Sequence, residues 1–392
     1  MWRLLRRSWM REGGVILLLV VFALALMTAP QQAMEGAQHG LSLCFNVIVP
    51  SLFPFFVLSS LVVDLGLAAY LGRALEGVMQ PLFRVNGCCG SALALGFLGG
   101  YPVGARTAIQ LYEQGLCSRG EAERLLAFCN NSGPAFILGV VGAGVFGDGR
   151  IGLLLYATHA LASVLVGLLF RFHGAHTPRP ARRTPASKPI QAVNFPAAFT
   201  GAVTRSFQNT LNICAFVTFF AVVLQLLEQT GGLALCTRLL GLLGLSAQWS
   251  QRMIAGLLEL SSGVSSLSTA GQLAQQISMA AFMLGWAGLS VHCQVLSFLV
   301  DSGLSPRTYL AGKFCHGLLA GGLTWLVTRW IPVALPVSDY LLDQTESIAA
   351  LDFSTALALS TAVSVGAWLL VSALCTAIAR KNGGNSRRHP VY

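Results

Sequence analysis

Apolar residues in this chain are gathered into blocks long enough to cross a bilayer, separated by short polar stretches. A hydrocarbon layer of about 30 Å takes about 20 helical residues, so each such block predicts a membrane span. Eight are clear, at 14–29, 41–63, 122–146, 151–170, 206–227, 278–299, 309–330 and 353–379. Two further apolar segments, 87–112 and 251–273, do not read as plain spans. The first contains Gly96-Phe-Leu-Gly-Gly-Tyr-Pro-Val-Gly-Ala-Arg106, where Gly99, Gly100 and Pro102 interrupt any continuous helix. Backbone groups released at membrane depth are tolerated only inside protein or against a water-filled cavity, which is where transporters place ligands and ions. Just before this segment, 73–84 reads as an amphipathic helix on the inner surface, with Leu75, Val78, Met79 and Leu82 on one side.

Composition agrees with the blocks. Hydrophobic residues make up 54% of the 392 positions and charged residues 10%, against about 25% charged in soluble domains. The net charge of +10 sits beside the spans, at Arg3, Arg6, Arg7 and Arg11, in the 171–188 loop, and at Arg380, Lys381, Arg387 and Arg388. That placement marks cytoplasmic loops rather than a nucleic-acid surface, and the 171–188 loop offers no aromatic platform beyond Phe172. The ten cysteines lack metal spacing and read as small buried hydrophobes.

With the N-terminus inside, the Arg-rich loop and the C-terminal tail both fall inside only if each broken segment enters and leaves on one face. The acidic loop 332–352, with Asp339, Asp343, Glu346 and Asp352, then falls outside. The charge pattern therefore predicts two re-entrant hairpins, the first opening from the cytoplasm and the second from the opposite face. The halves also echo one another: Gly96 with Gly256, Ser132-Gly133-Pro134 with Gly288-Leu289-Ser290, and His159 with His316, each pair about 160 residues apart. Chance likeness of Gly-rich membrane helices is the alternative.

Candidate chemistry lies at the interruptions. At the first hairpin tip, Gly100, Tyr101 and Pro102 let backbone N–H groups approach a ligand, and the half-helix after Pro102 directs its positive end there, which suits an anion. A packing seam of Gly96, Gly100 and Gly104 is the other use of the same glycines. Arg106 is either a clamp for a substrate carboxylate or an arginine snorkelling from the hairpin base. In the next span, Asn130, Asn131 and Ser132 precede Pro134, and the carbonyls freed there can meet a cation or a substrate. In the second half, Glu259 stands among serines including Ser261 and Ser262. It reads as a proton carrier, a sodium ligand or a substrate acceptor, or as a cap for buried N–H groups. Ser290 and His292 lie in the following interrupted span, while His159 and His316 read as structural. No nucleotide-binding loop, nucleophile elbow or metal-protease spacing is present, so neither an enzyme nor an ATP-driven pump is expected.

The runs Pro50-Ser-Leu-Phe-Pro-Phe-Phe56, Pro81-Leu-Phe-Arg-Val85, Gly99-Gly-Tyr-Pro-Val-Gly-Ala105, Glu121-Ala-Glu-Arg124 and Asn130-Asn-Ser-Gly-Pro-Ala-Phe136 resemble the YlbJ-type sporulation integral membrane proteins of the nucleoside-recognition, or Gate, group. The resemblance implies a fold similar to concentrative nucleoside transporters, with two hairpins and two unwound helices around a central site. It also implies movement of dipicolinic acid, a small aromatic dianion, across the outer forespore membrane.

The expectation is thus an all-α polytopic membrane protein with an inverted-repeat, transporter-like fold. Residues 1–39 carry the first span and an outer loop, 40–172 the first repeat, 173–200 a basic cytoplasmic linker, 201–331 the second repeat, and 332–392 the acidic loop, last span and basic tail. It is expected in a bacterial inner membrane with both termini cytoplasmic, carrying a small anion by alternating access, with no cofactor unless Na+ or H+ couples transport. Nucleoside transport and a non-transporting sporulation scaffold are the other readings. The bilayer and the small-molecule substrate are the expected partners, nucleic acid is not, and homo-oligomerisation stays open.

Overall fold

The computed structural model describes residues 2–64, 74–174, 195–242, 244–269 and 272–330, with helical fragments at 361–362 and 365–366. Among them all regular structure is helical. The expected acidic loop, last span and tail, and most of the basic linker, lie outside the described residues.

Helix α1 (Trp2–Thr28) ends at Ala29, and the chain bends by 97° into α2 (Pro30–Leu43). Pro30 causes the break, since it cannot donate to the preceding helix but is pre-organised to begin the next. Helix α2 continues through a π-helical turn, Cys44–Ile48, into α3 (Val49–Asp64). The widened turn lies just ahead of Pro50, whose ring would otherwise meet the carbonyl four residues back. The expected second span at 41–63 therefore begins earlier, at Pro30.

Antiparallel to this rod runs α9 (Phe195–Gln229). A Cβ on Gly36 would lie 2.9 Å from Val222 Cα, and one on Gly40 2.7 Å from Thr218 Cα, so glycines set the close approach. The pair forms a long two-helix scaffold. The span expected at 206–227 is longer at both ends, and residues 195–200, read as linker, are already helix.

After the scaffold the two halves use the same succession of elements. In the first, α4 (Ala74–Phe83) bends by 107° through a 3₁₀ turn, Gly87–Cys89, into α5 (Gly90–Gly99), which packs against α6 (Val103–Glu113) as a hairpin. Then come α7 (Arg119–Phe128), an extended break, a π-helical stretch (Ala135–Val145) and α8 (Gly149–Phe170). In the second half, α10 (Gly232–Gly241) precedes a hairpin of α11 (Ala247–Leu258) and α12 (Leu260–Ser265). That hairpin is followed by α13 (Leu273–Trp286), a break at Ala287, α14 (Gly288–Leu299) and α15 (Pro306–Trp330). Among the described residues four helices are long and apolar enough to cross a membrane, or up to six if each bent pair is one span.

The amphipathic helix before the first hairpin is present, but its buried face differs. Met79 and Phe83 are buried while Leu82 is exposed, because the last turn is π-helical and shifts the inward position by one residue. The second hairpin starts at Ala247, where Ser246 caps the helix, earlier than the 251 expected. The break in the following span falls at Ala287, just before the Gly288-Leu289-Ser290 run, and both Ala287 and Gly288 have positive φ. A non-glycine residue there carries backbone strain of about 1 kcal/mol.

Each hairpin is fixed by glycines on its inner faces. A Cβ on Gly96 or Gly104 would fall 1.8 or 2.0 Å from the Cys129 carbonyl oxygen, and one on Gly263 2.2 Å from Gly256 Cα. One end of the fold is held by charge: Glu121 closes a capping box with Ser118, Glu123 accepts from Arg119 and from the Ser305 backbone, and Arg124 donates to the Arg84 and His173 carbonyls.

Gly104→Ala is expected to destabilise the protein by about 1–3 kcal/mol, the cost of overpacking a tight contact, read as a lower melting temperature in detergent. Gly322→Ala, in α15 with open space around its Cα, should be neutral or stabilising by about 0.5–1 kcal/mol. Equal effects at the two positions would contradict the packing.

Candidate functional site

The two hairpin tips and the two helix breaks converge on a cavity of about 60 Å³, on a scale where one water needs roughly 10–15 Å³. Its walls are Gly99, Gly100 and Tyr101 of the first tip, Ser132 and Gly133 of the first break, Glu259, Leu260 and Ser261 of the second tip, and Ser290, Val291 and Gln294 after the second break. The scaffold closes it with apolar side chains, Ile48, Leu52 and Phe56 from one helix and Ile213 and Val217 from the other.

Of the candidates read from sequence, Gly100, Tyr101, Ser132, Glu259, Ser261 and Ser290 line this cavity, and Pro102, Asn130, Asn131, Ser262 and His292 stand around it. Arg106 is on the exposed side of its helix, 5.8 Å from the Phe298 ring, and does not line it. Asn130 turns its Oδ1 to the Ala105 N–H, capping α6 from the facing break. That takes one of the donors the hairpin tip was expected to offer an anion. Asn131 folds back onto the Phe128 carbonyl. His292 bonds the Tyr309 hydroxyl through Nδ1 at 3.0 Å and packs edge-on against Trp286.

Glu259 sits at the second tip, 2% exposed. Its two carboxylate oxygens accept from the Ser261 and Ser262 N–H groups at 3.0 and 2.7 Å, so it caps the second limb of its own hairpin while facing the cavity. Ser261 faces this small cavity; Ser262 lines a second, larger one of about 470 Å³ with His39, Glu228 and Arg252. The tip of the second hairpin is therefore the partition between a small, mostly apolar space and a larger, more polar one.

The residue that sequence reasoning missed is Lys313 of α15, which is fully buried. Its Nζ lies 2.8 Å from Tyr101 Oη, 3.0 Å from the Asn130 carbonyl and 3.3 Å from His316 Nδ1. Each neighbour can only accept. The Tyr101 hydroxyl gives its proton to the Leu284 carbonyl at 2.6 Å, a carbonyl can only accept, and His316 uses Nε2 as donor to the His159 carbonyl at 3.0 Å, leaving Nδ1 as acceptor. Three acceptors around one nitrogen match the three donors of an ammonium, and none of them is a carboxylate. His159, its ring tilted by 39° against that of His316 at 4.3 Å, accepts the Ser132 N–H through Nε2 at 3.1 Å.

Two of the three carbonyls in this network, those of Asn130 and Leu284, are ones that the helix breaks set free. Asn130 is four residues before Pro134, which has no N–H to offer it, and Leu284 is four residues before Gly288, where the helix restarts. Lys313 was detectable in the sequence, since one lysine interrupts the apolar 309–330 run and intramembrane charges point to function by default. The apolar cavity walls carried no such sign.

Helical hairpins meeting broken helices against a two-helix scaffold define a multi-pass membrane protein of transporter-like build. The family described as "Gate: Nucleoside recognition" matches residues 45–173. The sporulation integral membrane protein YlbJ of Bacillus subtilis (strain 168) is 31% identical over 360 residues, covering 84% of this chain and 86% of that protein. No solved structure matches the chain. The chain belongs to the YlbJ family of integral membrane proteins.

Glu259→Ala is expected to lower stability by about 1–2 kcal/mol, the loss of an N-cap, while Glu259→Asp and Glu259→Gln lose less because one acceptor can still reach the tip. Thermal melting of the three variants checks the order; an Ala variant as stable as wild type would contradict the capping role.

Proposed function

We propose that the protein carries a small organic anion across the membrane by alternating access, the two hairpins moving against the α2–α3 and α9 scaffold. The observation that supports an anion is Lys313: a buried lysine whose nitrogen meets three acceptors and no carboxylate, one hydroxyl from the cavity. A positive charge held in that way lowers the energy of a negative one beside it. The cavity admits a few waters and not an aromatic dicarboxylate, which fits a closed state that opens to one face at a time. The repeated element order supports two repeats, and the basic clusters beside the spans support an inverted arrangement with both termini cytoplasmic.

Spore formation is the proposed setting, on the name of the B. subtilis relative, and dipicolinic acid the proposed substrate, on the family resemblance of the sequence and the anion-favouring charge. Tyr101, Ser132, Ser261 and Ser290 contact it, and Glu259 is the proton carrier whose protonation admits the dianion. A nucleoside is the second reading, favoured by the description of the matching family and by the hydroxyl and amide groups of Ser261, Ser290 and Gln294 on the wall.

Titration of the purified protein with dipicolinate and with uridine distinguishes the two. Dipicolinate is expected to bind, more tightly as pH falls, and Glu259→Gln should remove that pH dependence. Tyr101→Phe should weaken binding by about tenfold, the loss of one hydrogen bond. Uridine binding alone would establish the nucleoside reading, and binding of neither would leave a scaffold.

A further inference from the structure

We infer that Lys313 is a resident cation of the carrier, its ammonium occupying the place between the first hairpin tip and the first helix break where a metal ion would otherwise be held, so that the protein operates without sodium. The inference deepens the carrier reading and rests on it for its consequence in transport.

Where a membrane helix breaks, freed carbonyls and half-helix ends gather a cation. Here the carbonyl is that of Asn130, released by Pro134, and the ligand it has found is an ammonium 3.0 Å away. The other two partners, a phenol oxygen and an imidazole nitrogen, are neutral as well. Neutral acceptors converging on a point suit a cation whose charge is not cancelled by a carboxylate. Lysine supplies three donors and so saturates all of them. Glu259, the carboxylate in the cavity wall, gives both oxygens to its own hairpin.

A tethered cation differs from a bound one in two ways. It cannot leave, so no sodium gradient can be coupled through this position. It also binds tip to break permanently: parting Tyr101 from Asn130 strands a buried charge, which costs far more than parting two neutral groups. The first tip and the first break therefore move against the scaffold as one unit, and the second tip, which lies between the small cavity and the 470 Å³ one, is the side that parts from its neighbours.

The test is the melting temperature of the purified full-length protein in sodium chloride and in N-methylglucamine chloride at equal ionic strength. A ligand that binds the folded state raises melting in proportion to its occupancy, so a sodium site would show as a saturable rise. Wild type is expected to melt alike in both salts. Lys313→Ala should melt lower and recover in part with sodium or ethylammonium, which can enter the vacated position. Lys313→Met, which refills the space without charge, should melt lower and not recover. A Lys313→Ala protein that folds only with added cation also supports the inference. A saturable sodium rise in wild type overturns it, as does Lys313→Ala melting like wild type or indifferent to both cations. Melting needs no substrate, so a failure to bind dipicolinate or uridine leaves this result intact.

Discussion

The structure turns on backbone groups that two broken membrane helices release and that lipid cannot satisfy. In water such groups would find solvent; at membrane depth each left unpaired costs several kcal/mol. The carbonyls of Asn130 and Leu284, one from each break, are joined through two side chains, Lys313 donating to Asn130 and to Tyr101, and Tyr101 donating to Leu284. One hydrogen-bonded bridge therefore ties together both breaks, the first hairpin tip and α15.

Steric fit and polar satisfaction depend on each other here. The Cys129 carbonyl can approach the first hairpin only because Gly96 and Gly104 have no side chains, and that approach puts Asn130 within reach of both Ala105 N–H and Lys313. The second hairpin solves the same problem differently, with Glu259 capping its own limb and Trp286 donating to the Leu257 carbonyl. The two tips are thus unlike in charge although alike in shape. A lysine stands behind one and a glutamate at the other, which gives the space between them a direction.

Much of this was legible in the residues. Pro102 beside Gly99 and Gly100 marked the first tip, and Pro134 after Asn130-Asn131-Ser132 marked the first break, because proline and glycine act through local backbone geometry. Helix ends were less legible: α2 begins at Pro30 and α9 at Phe195, where packing of the scaffold pair extends helix into stretches that look like loop. The inward turn of Phe83 depended on a π-helical turn that no side-chain period announces. Lys313 was visible as an intramembrane charge, but its partners come from 212 and 183 residues away, and no local pattern carries that information. Arg106, the charge that sequence made conspicuous, faces outward.

A double-mutant cycle between Tyr101→Phe and Lys313→Met, read as stability of the purified protein, measures the bridge itself. Residues that share one hydrogen-bond network couple by about 0.5–3 kcal/mol, and the account predicts a value of about 1 kcal/mol or more, because each variant alone strands the partner of the other. Additive losses, with no coupling between the two positions, would contradict it.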